Sequence, residues 1–310
     1  MIRLNNQSPG APSLVGANGS LCNVLDWALP QAGWAIEYTA ANARVYRPGQ
    51  GNRHRLSVRH DSAVSGSVGL CTIRGCENAT SATALVDPFP TVTQASDPTS
   101  TILVGTNTTV PREFETIVTP TFMLLAVGAL MNNTAGWDLM FFGDLPPTYP
   151  EDQFSTAILV GASSAATSSS ARAMSSSVSS GVAAAKLYWA RTIDGSMKSP
   201  AGSLWGSVSA VAGNFCTVAN TTAMRAGYRN EIVRERVGAS CAGGPAVGPM
   251  AVVRRAQVPF LWNPVHTGIG SITSDDTFTD TAYAAGSLFR VVPASSAIAA
   301  ILELSNTWAP

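Results

Sequence analysis

The chain has 310 residues, enough for two domains of ordinary size or for one large all-β domain with an appendage. Hydrophobic residues make up 45%, which supplies a full core, while charged residues are only 12%, about half the usual share of roughly 25%. Net charge is zero and the pI is near 6.8, so the global balance gives no steering toward nucleic acid or an anionic membrane.

A surface with few charges must be coated with Ser, Thr, Ala, Gly and Asn, and near-zero charge favours association. The composition therefore points to a protein packed against copies of itself or against neighbours. Its basic residues are nearly all arginine, with lysine only at Lys186 and Lys198. Arginine suits interface pairs because its fork is planar and weakly hydrated, although a GC-rich genome produces the same bias.

Residues 1–20 are rich in Gly, Pro, Asn and Ser and read as an arm or irregular lead-in. Met1–Asn6 has one charge and no apolar core, so no signal peptide is expected there. The spacing of apolar residues at 21, 24, 25, 28 and 29 predicts a short helix over Leu21–Leu29, ended by Pro30. From Trp34 the period changes to two, with Trp34, Ile36 and Tyr38 on one face, followed by Ala43, Val45 and Tyr46 and a Pro-Gly-Gln-Gly turn at 48–51. Leu56–His60 and Val68–Ile73 alternate in the same way and predict antiparallel strands with one solvated face. A small α+β N-terminal domain over residues 1–90 follows.

Residues 91–112 read as a connector with one strand at Ile102–Val104, and 113–310 as a larger all-β domain. Its predicted strands are Phe114–Val118, Thr121–Leu130, Leu139–Phe142, Ala157–Gly161, Leu187–Arg191, Val208–Val211, Phe215–Val218, Val252–Val258, Leu288–Val292 and Ala299–Leu304. Asn132–Gly136 supplies a turn. Residues 162–185 are a low-complexity Ser/Ala stretch that fits a flexible loop, an arm ordered by a neighbour, or a small-residue helix. Many short strands with frequent turns predict a mainly β fold, an antiparallel sandwich or barrel with a short N-terminal helix. The most hydrophobic run, Phe122–Met131, is about half the ~20 residues a membrane span needs, so no membrane partner is expected.

Five cysteines leave at least one without an intrachain partner. Cys71 and Cys76 could be bridged only if the chain turned between them, since about 16 Å separates the ends of an extended segment of that length. Buried free thiols are expected instead. No CxxC pair with a nearby histidine supplies a metal site, and no phosphate loop is present, so no metal or cofactor is expected.

Candidate chemistry is thin. In Arg53–His60 (RHRLSVRH), strand alternation would put Arg53, Arg55 and Arg59 on one face, a row able to pair with acidic groups of an adjacent subunit or with phosphate, or simply to form a solvated face. His266 has Asp275, Asp276, Ser271 and Ser274 downstream but no nucleophile elbow, and reads as a structural histidine. Asp138, Asp144, Glu151 and Asp152 bracket the Phe-Phe-Gly-Asp phrase. Asp144 after Gly143 reads as turn chemistry rather than half of a glycosidase pair.

Two phrases, Trp137–Leu145 (WDLMFFGDL) and Arg254–His266 (RRAQVPFLWNPVH), with Ser305–Trp308 and the block from Gly33 to Arg47, resemble a family of virion structural proteins encoded by tailed bacteriophages. The likeness spreads over residues 13–90, 114–161 and 250–308 and departs from the family at Cys76, where the usual motif has tyrosine, and at 162–185. The resemblance implies a virion component, synthesised in the host cytoplasm and present in several copies, with identical subunits and other virion proteins as partners. A tail or baseplate subunit acting by assembly, without enzymatic activity, is expected. A capsid decoration or head-tail collar protein is the alternative, and a tail-tip binder or depolymerase acting on a host-surface receptor is the rival of another class. A structural subunit should bury its phrase aromatics, Trp34, Trp137, Phe141, Phe142 and Trp262, with His266; a depolymerase should display aromatic platforms.

Overall fold

The structure is a computed structural model that describes residues 1–62, 69–89, 100–103, 108–128, 138–144, 156–161, 186–191, 197–198, 236–240, 254–262, 277–279, 288–294 and 297–304. The first part of the chain gives β1 (Ile2–Asn5), helix α1 (Ser20–Ala28), a 3-10 turn over Leu29–Ala32, β2 (Ala35–Ala40), β3 (Ala43–Arg47), β4 (Arg55–Arg59), β5 (Leu70–Ala79), β6 (Leu85–Phe89) and β7 (Ser100–Leu103). The middle gives β8 (Phe114–Val118), β9 (Phe122–Val127), β10 (Asp138–Asp144), β11 (Thr156–Gly161), β12 (Lys186–Arg191) and β13 (Met197–Lys198). The last part gives β14 (Arg236–Ser240), β15 (Arg254–Trp262), β16 (Thr277–Thr279), β17 (Leu288–Ala294) and β18 (Ala297–Glu303).

These strands form three sheets, antiparallel throughout the described pairings. The large sheet runs β1-β8-β9-β10-β11-β12-β13, the small sheet runs β2-β3-β4-β5-β6 with β7 also on β5, and the C-terminal sheet runs β14-β15-β18-β17-β16. The protein is mainly β with one short α-helix, and the open strand orders fit a sandwich-like arrangement rather than a closed barrel.

Helix α1 lies where the 3.6-residue spacing places it and continues through Pro30 as a 3-10 turn, with proline in the first-turn position where its missing N–H costs nothing. Nine residues are too few to hold a helix in water. Its stability comes from Leu21, Val24, Leu25 and Ala28, all fully buried, which join one core with Leu56, Val58, Ile73 and Phe89 of the small sheet and Phe114, Met123, Leu125, Met140, Phe142 and Ile158 of the large one. Each fully buried side chain of this size contributes about 1.5–3 kcal/mol. Residues on both sides of the connector expected at 91–112 thus share that core, and β7 within the connector pairs with β5.

Three local expectations are corrected. The N-terminal arm is not irregular at its start: Ile2–Asn5 pairs with Glu115–Val118 as an edge strand of the large sheet, with the Arg3 guanidinium on the buried Glu115 carboxylate and Leu4 in the core. A four-residue strand whose partner lies more than a hundred residues away leaves no local periodic signal. Trp34, Ile36 and Tyr38 do not share a face. Trp34 precedes β2 and is buried while Ile36 is 38% exposed, and a bulge between Ile36 and Tyr38 breaks the alternation, so that Ile36 opposes Tyr46 and Tyr38 opposes Val45 on the other face. The small sheet also lacks a fully solvated face: Val45, Cys76 and Ala79 form a second buried cluster with Tyr38 and Leu85 on the side away from α1.

Elsewhere β8 coincides with its predicted span, and β3, β4, β9, β10, β11, β12, β15, β17 and β18 overlap theirs. The 132–136 turn, the 162–185 stretch and the strands expected at 208–211 and 215–218 lie outside the described residues. No described helix is long and apolar enough to cross a membrane.

Candidate functional site

Two constellations of polar and aromatic side chains stand out, one on the outer face of the small sheet and one where the small and large sheets meet. The outer face follows from register. Val45 opposes Ser57, Ser57 opposes Arg74, and Arg55 opposes Cys76, so alternation puts Arg47 of β3, Arg55 and Arg59 of β4, and Arg74 of β5 on one side of the sheet. Glu37 of β2 serves two of these arginines at once. Arg55 Nε donates to Glu37 Oε2 at 2.8 Å and Arg55 Nη2 to Oε1 at 3.4 Å, while Arg47 Nε lies 2.9 Å from Oε1. Arg59 lies 3.7 Å from Asp61 Oδ2, a loose pair. Three of these arginines thus meet two carboxylates, on a face where they remain partly accessible, Arg59 at 38% and Arg47 at 33% of their side chains.

The arginine row read from the sequence is therefore present in altered form. Arg55 and Arg59 share the face, but Arg53 does not belong to the strand: it precedes β4 with φ 60, in the left-handed region. Arg47 and Arg74 come in from neighbouring strands, which only the pairing register could reveal. Cys76 sits among these charges, and burial pushes its thiol up to about 12 against the pull of Arg55 and Arg74. Burial also lowers the Arg74 guanidinium.

The second constellation is the joint between the sheets, and the Phe-Phe-Gly-Asp phrase builds it. Phe142 lies face to face with Phe89 of β6, centroids 6.4 Å apart, and edge-on to Trp34 at 6.3 Å. Trp34 Nε1 donates to the Thr119 carbonyl at 2.6 Å, which ties the start of the small sheet to the β8–β9 turn. Phe141, on the other face of β10, packs against Phe122 at 5.6 Å. Trp34, Phe141 and Phe142 are buried, at 3%, 0% and 0% exposure. Aromatic pairs in such geometries contribute about 0.5–1.5 kcal/mol each beyond their burial.

Gly143 permits the phrase. Its φ is 132, and a Cβ there would stand 2.3 Å from the Thr121 carbonyl oxygen and 2.4 Å from Phe122 Cα. Asp144 consequently ends β10 as a strand residue, which corrects the turn reading, and its carboxylate reaches the turn of the opposite sheet. Asn52 N donates to Asp144 Oδ2 at 2.5 Å, and Thr156 Oγ1 donates to Asp144 Oδ1. A Cβ on Gly51 would lie 2.1 Å from that same Oδ2, so the turn must carry glycine to let the carboxylate in.

His54 completes the cluster, with Nδ1 2.7 Å from Thr156 Oγ1 and its ring edge-on to Phe89 at 5.7 Å. Because the single Thr156 proton goes to Asp144, His54 Nδ1 is the donor in its bond to Thr156. A nucleophilic hydroxyl needs the reverse, a base that accepts its proton. Thr156 is also 1% exposed, out of reach of a substrate. The His54–Thr156–Asp144–Asn52 set is therefore a half-buried fastening between sheets, centred on the buried Thr156. Sequence reasoning missed it because the bonds from Asn52 and His54 to Asp144 and Thr156 span 92 to 104 residues of chain.

Cys22, Cys71 and Cys76 are buried free thiols. Cys71 and Cys76 both stand on β5 without a turn between them, and five residues of alternation place them on opposite faces. Burial raises the Cys22 thiol to about 11 and the Cys71 thiol likewise upward. Among the described residues no group of three or more His, Cys, Asp and Glu side chains could hold a metal ion. Trp137, His266, Glu151, Asp152, Asp275 and Asp276 lie outside the described residues, and Trp262 is described only by its place in β15, opposite Ile301. No family model matches the chain, and no curated protein matches it.

Proposed function

We propose that the chain is a structural subunit of a tailed-bacteriophage virion, placed in the tail or baseplate, and that it works by protein-protein assembly rather than by catalysis. The observation that carries this reading is the inward use of the Trp-Asp-x-x-Phe-Phe-Gly-Asp phrase. Phe142 and the second aspartate fasten one sheet to another, Phe141 packs on Phe122 within the large sheet, and the glycine lets the strands approach. A scaffold with such a joint offers rigid surfaces to neighbours, and rigid surfaces lose little entropy on association.

The outer face of the small sheet is the contact surface we favour. Paired, partly exposed arginines on strands β3 and β4 can exchange solvent for carboxylates of an identical or neighbouring subunit without moving the backbone. Low overall charge keeps such contacts from being opposed by long-range repulsion.

The test is quantitative mass spectrometry of gradient-purified particles, followed by immunogold labelling. A fixed copy number with label at the tail or baseplate supports the proposal. Label on the shell or neck would shift it to a decoration or collar protein, and absence from purified particles would overturn it.

A further inference from the structure

Helix α1 begins without any of the usual fittings. Its N-cap is Gly19, with φ 79 and no side chain to offer, and its first turn has no acidic residue. The acceptor comes from 39 residues away: Leu21 N donates to His60 Nδ1 at 3.1 Å. The same histidine takes Gly19 N on its carbonyl at 2.9 Å and gives its own N–H to the Asn42 carbonyl at 2.8 Å. His60 is fully buried. One residue just past β4 thus binds the start of α1 and the β2–β3 turn together, while Ser20 Oγ beside it ties back to the Ser13 carbonyl and to Val15 N.

An imidazole can accept at Nδ1 only when that nitrogen carries no proton, so the geometry fixes the neutral form with its hydrogen on Nε2. A second proton would abolish the bond to Leu21 and set a positive charge against the positive end of the helix. We propose that His60 is an acid-released latch: neutral, it holds the N-terminus of α1 against the small sheet, and on protonation it lets the first turn of the helix go.

The groups around it do not rescue the charged form. Asp61, adjacent in the chain and loosely paired with Arg59, favours the proton, as does the Gly16 backbone. From α1 the nearest titratable group is the Cys22 thiol, 3.6 Å from the Asn42 carbonyl and kept protonated by burial, and further along Asp26 is taken by Arg44 at 2.9 Å. Burial outweighs the Gly16 backbone and Asp61 and lowers the His60 imidazole to about 4. The sign is fixed by comparison with an unfolded value near 6.5. Between the two the unfolded chain binds the proton and the folded one does not, so the latch contributes fully above about pH 6.5 and is lost as pH falls toward 4. Across that window the folding equilibrium should lose on the order of a hundredfold from this group alone.

The experiment compares urea unfolding midpoints of the full chain and of His60→Asn from pH 7.5 to 4.5, with amide exchange at Leu21 read in parallel. Asparagine keeps an acceptor for Leu21 and cannot titrate. The proposal expects the wild type to lose stability toward acid faster than His60→Asn, with Leu21 exchange rising beyond its intrinsic pH dependence before global unfolding. Equal slopes in the two proteins would overturn it. Should His60→Asn not fold, NMR titration of the His60 ring in the wild type decides. A ring still neutral at pH 5.5 supports the latch, and a midpoint near 6.5 with Leu21 still protected refutes it.

Discussion

At the joint between sheets, Asp144 gives one carboxylate oxygen to the Asn52 backbone and the other to Thr156, beneath a stack of Phe89 and Phe142. On the outer face of the small sheet, Glu37 divides its oxygens between Arg47 and Arg55, whose side chains stay 33% and 19% exposed. Each is a carboxylate with two partners, yet they differ in what surrounds them. Asp144 accepts short hydrogen bonds among aromatic rings, where a lost partner leaves a buried group unsatisfied. Glu37 makes ion pairs that water can partly replace, and such pairs are worth little to stability but are available to a partner. On the proposed function, the joint serves folding and the arginine face serves association.

Substitutions can break that contrast. Phe142→Ala should be the most damaging, at about 3–5 kcal/mol by denaturant unfolding, since it empties the centre of the core shared by both sheets. A loss below about 1 kcal/mol would mean that the stack does not hold the sheets. Asp144→Ala should cost about 1–3 kcal/mol by leaving Asn52 N and the Thr156 hydroxyl without their acceptor, and little of that should be recovered in high salt.

Chemical labelling sharpens the same contrast. Burial holds the Cys22 thiol near 11, so at pH 8 roughly one part in a thousand is thiolate, and neither it nor Cys76 should react with iodoacetamide until the protein unfolds. Rapid labelling of the native protein at either position would show a looser core than described. Smallest is Glu37→Gln, expected to cost under about 1 kcal/mol and to cost less as salt rises, while it alters assembly through the two arginines it releases.

Much of the fold could be read from the chain because its signals are local. The apolar spacing of Leu21–Leu29 marked α1, the alternation around Leu56 marked β4, and the Phe114–Val118 run marked β8 to the residue. What escaped depended on distant partners. The four residues of β1 become a strand only because β8 offers an edge, and Tyr38 faces away from Ile36 because of a bulge that no alternation rule contains. The candidate sites divide in the same way. Arg55 and Arg59 were legible as a pair on one strand, whereas Arg47, Arg74 and Glu37 joined them through register. His60 was visible only as a histidine beside an arginine, and its bond to Leu21 requires the fold.

A cryo-EM map of the whole particle, with this chain traced in it, separates the two faces. Density is expected in the tail or baseplate, with Arg47, Arg55 and Arg59 against a neighbouring subunit and Phe89, Phe142 and Asp144 enclosed within their own. A particle without the chain, or one in which the arginine face meets only solvent while the joint opens onto a neighbour, would contradict it.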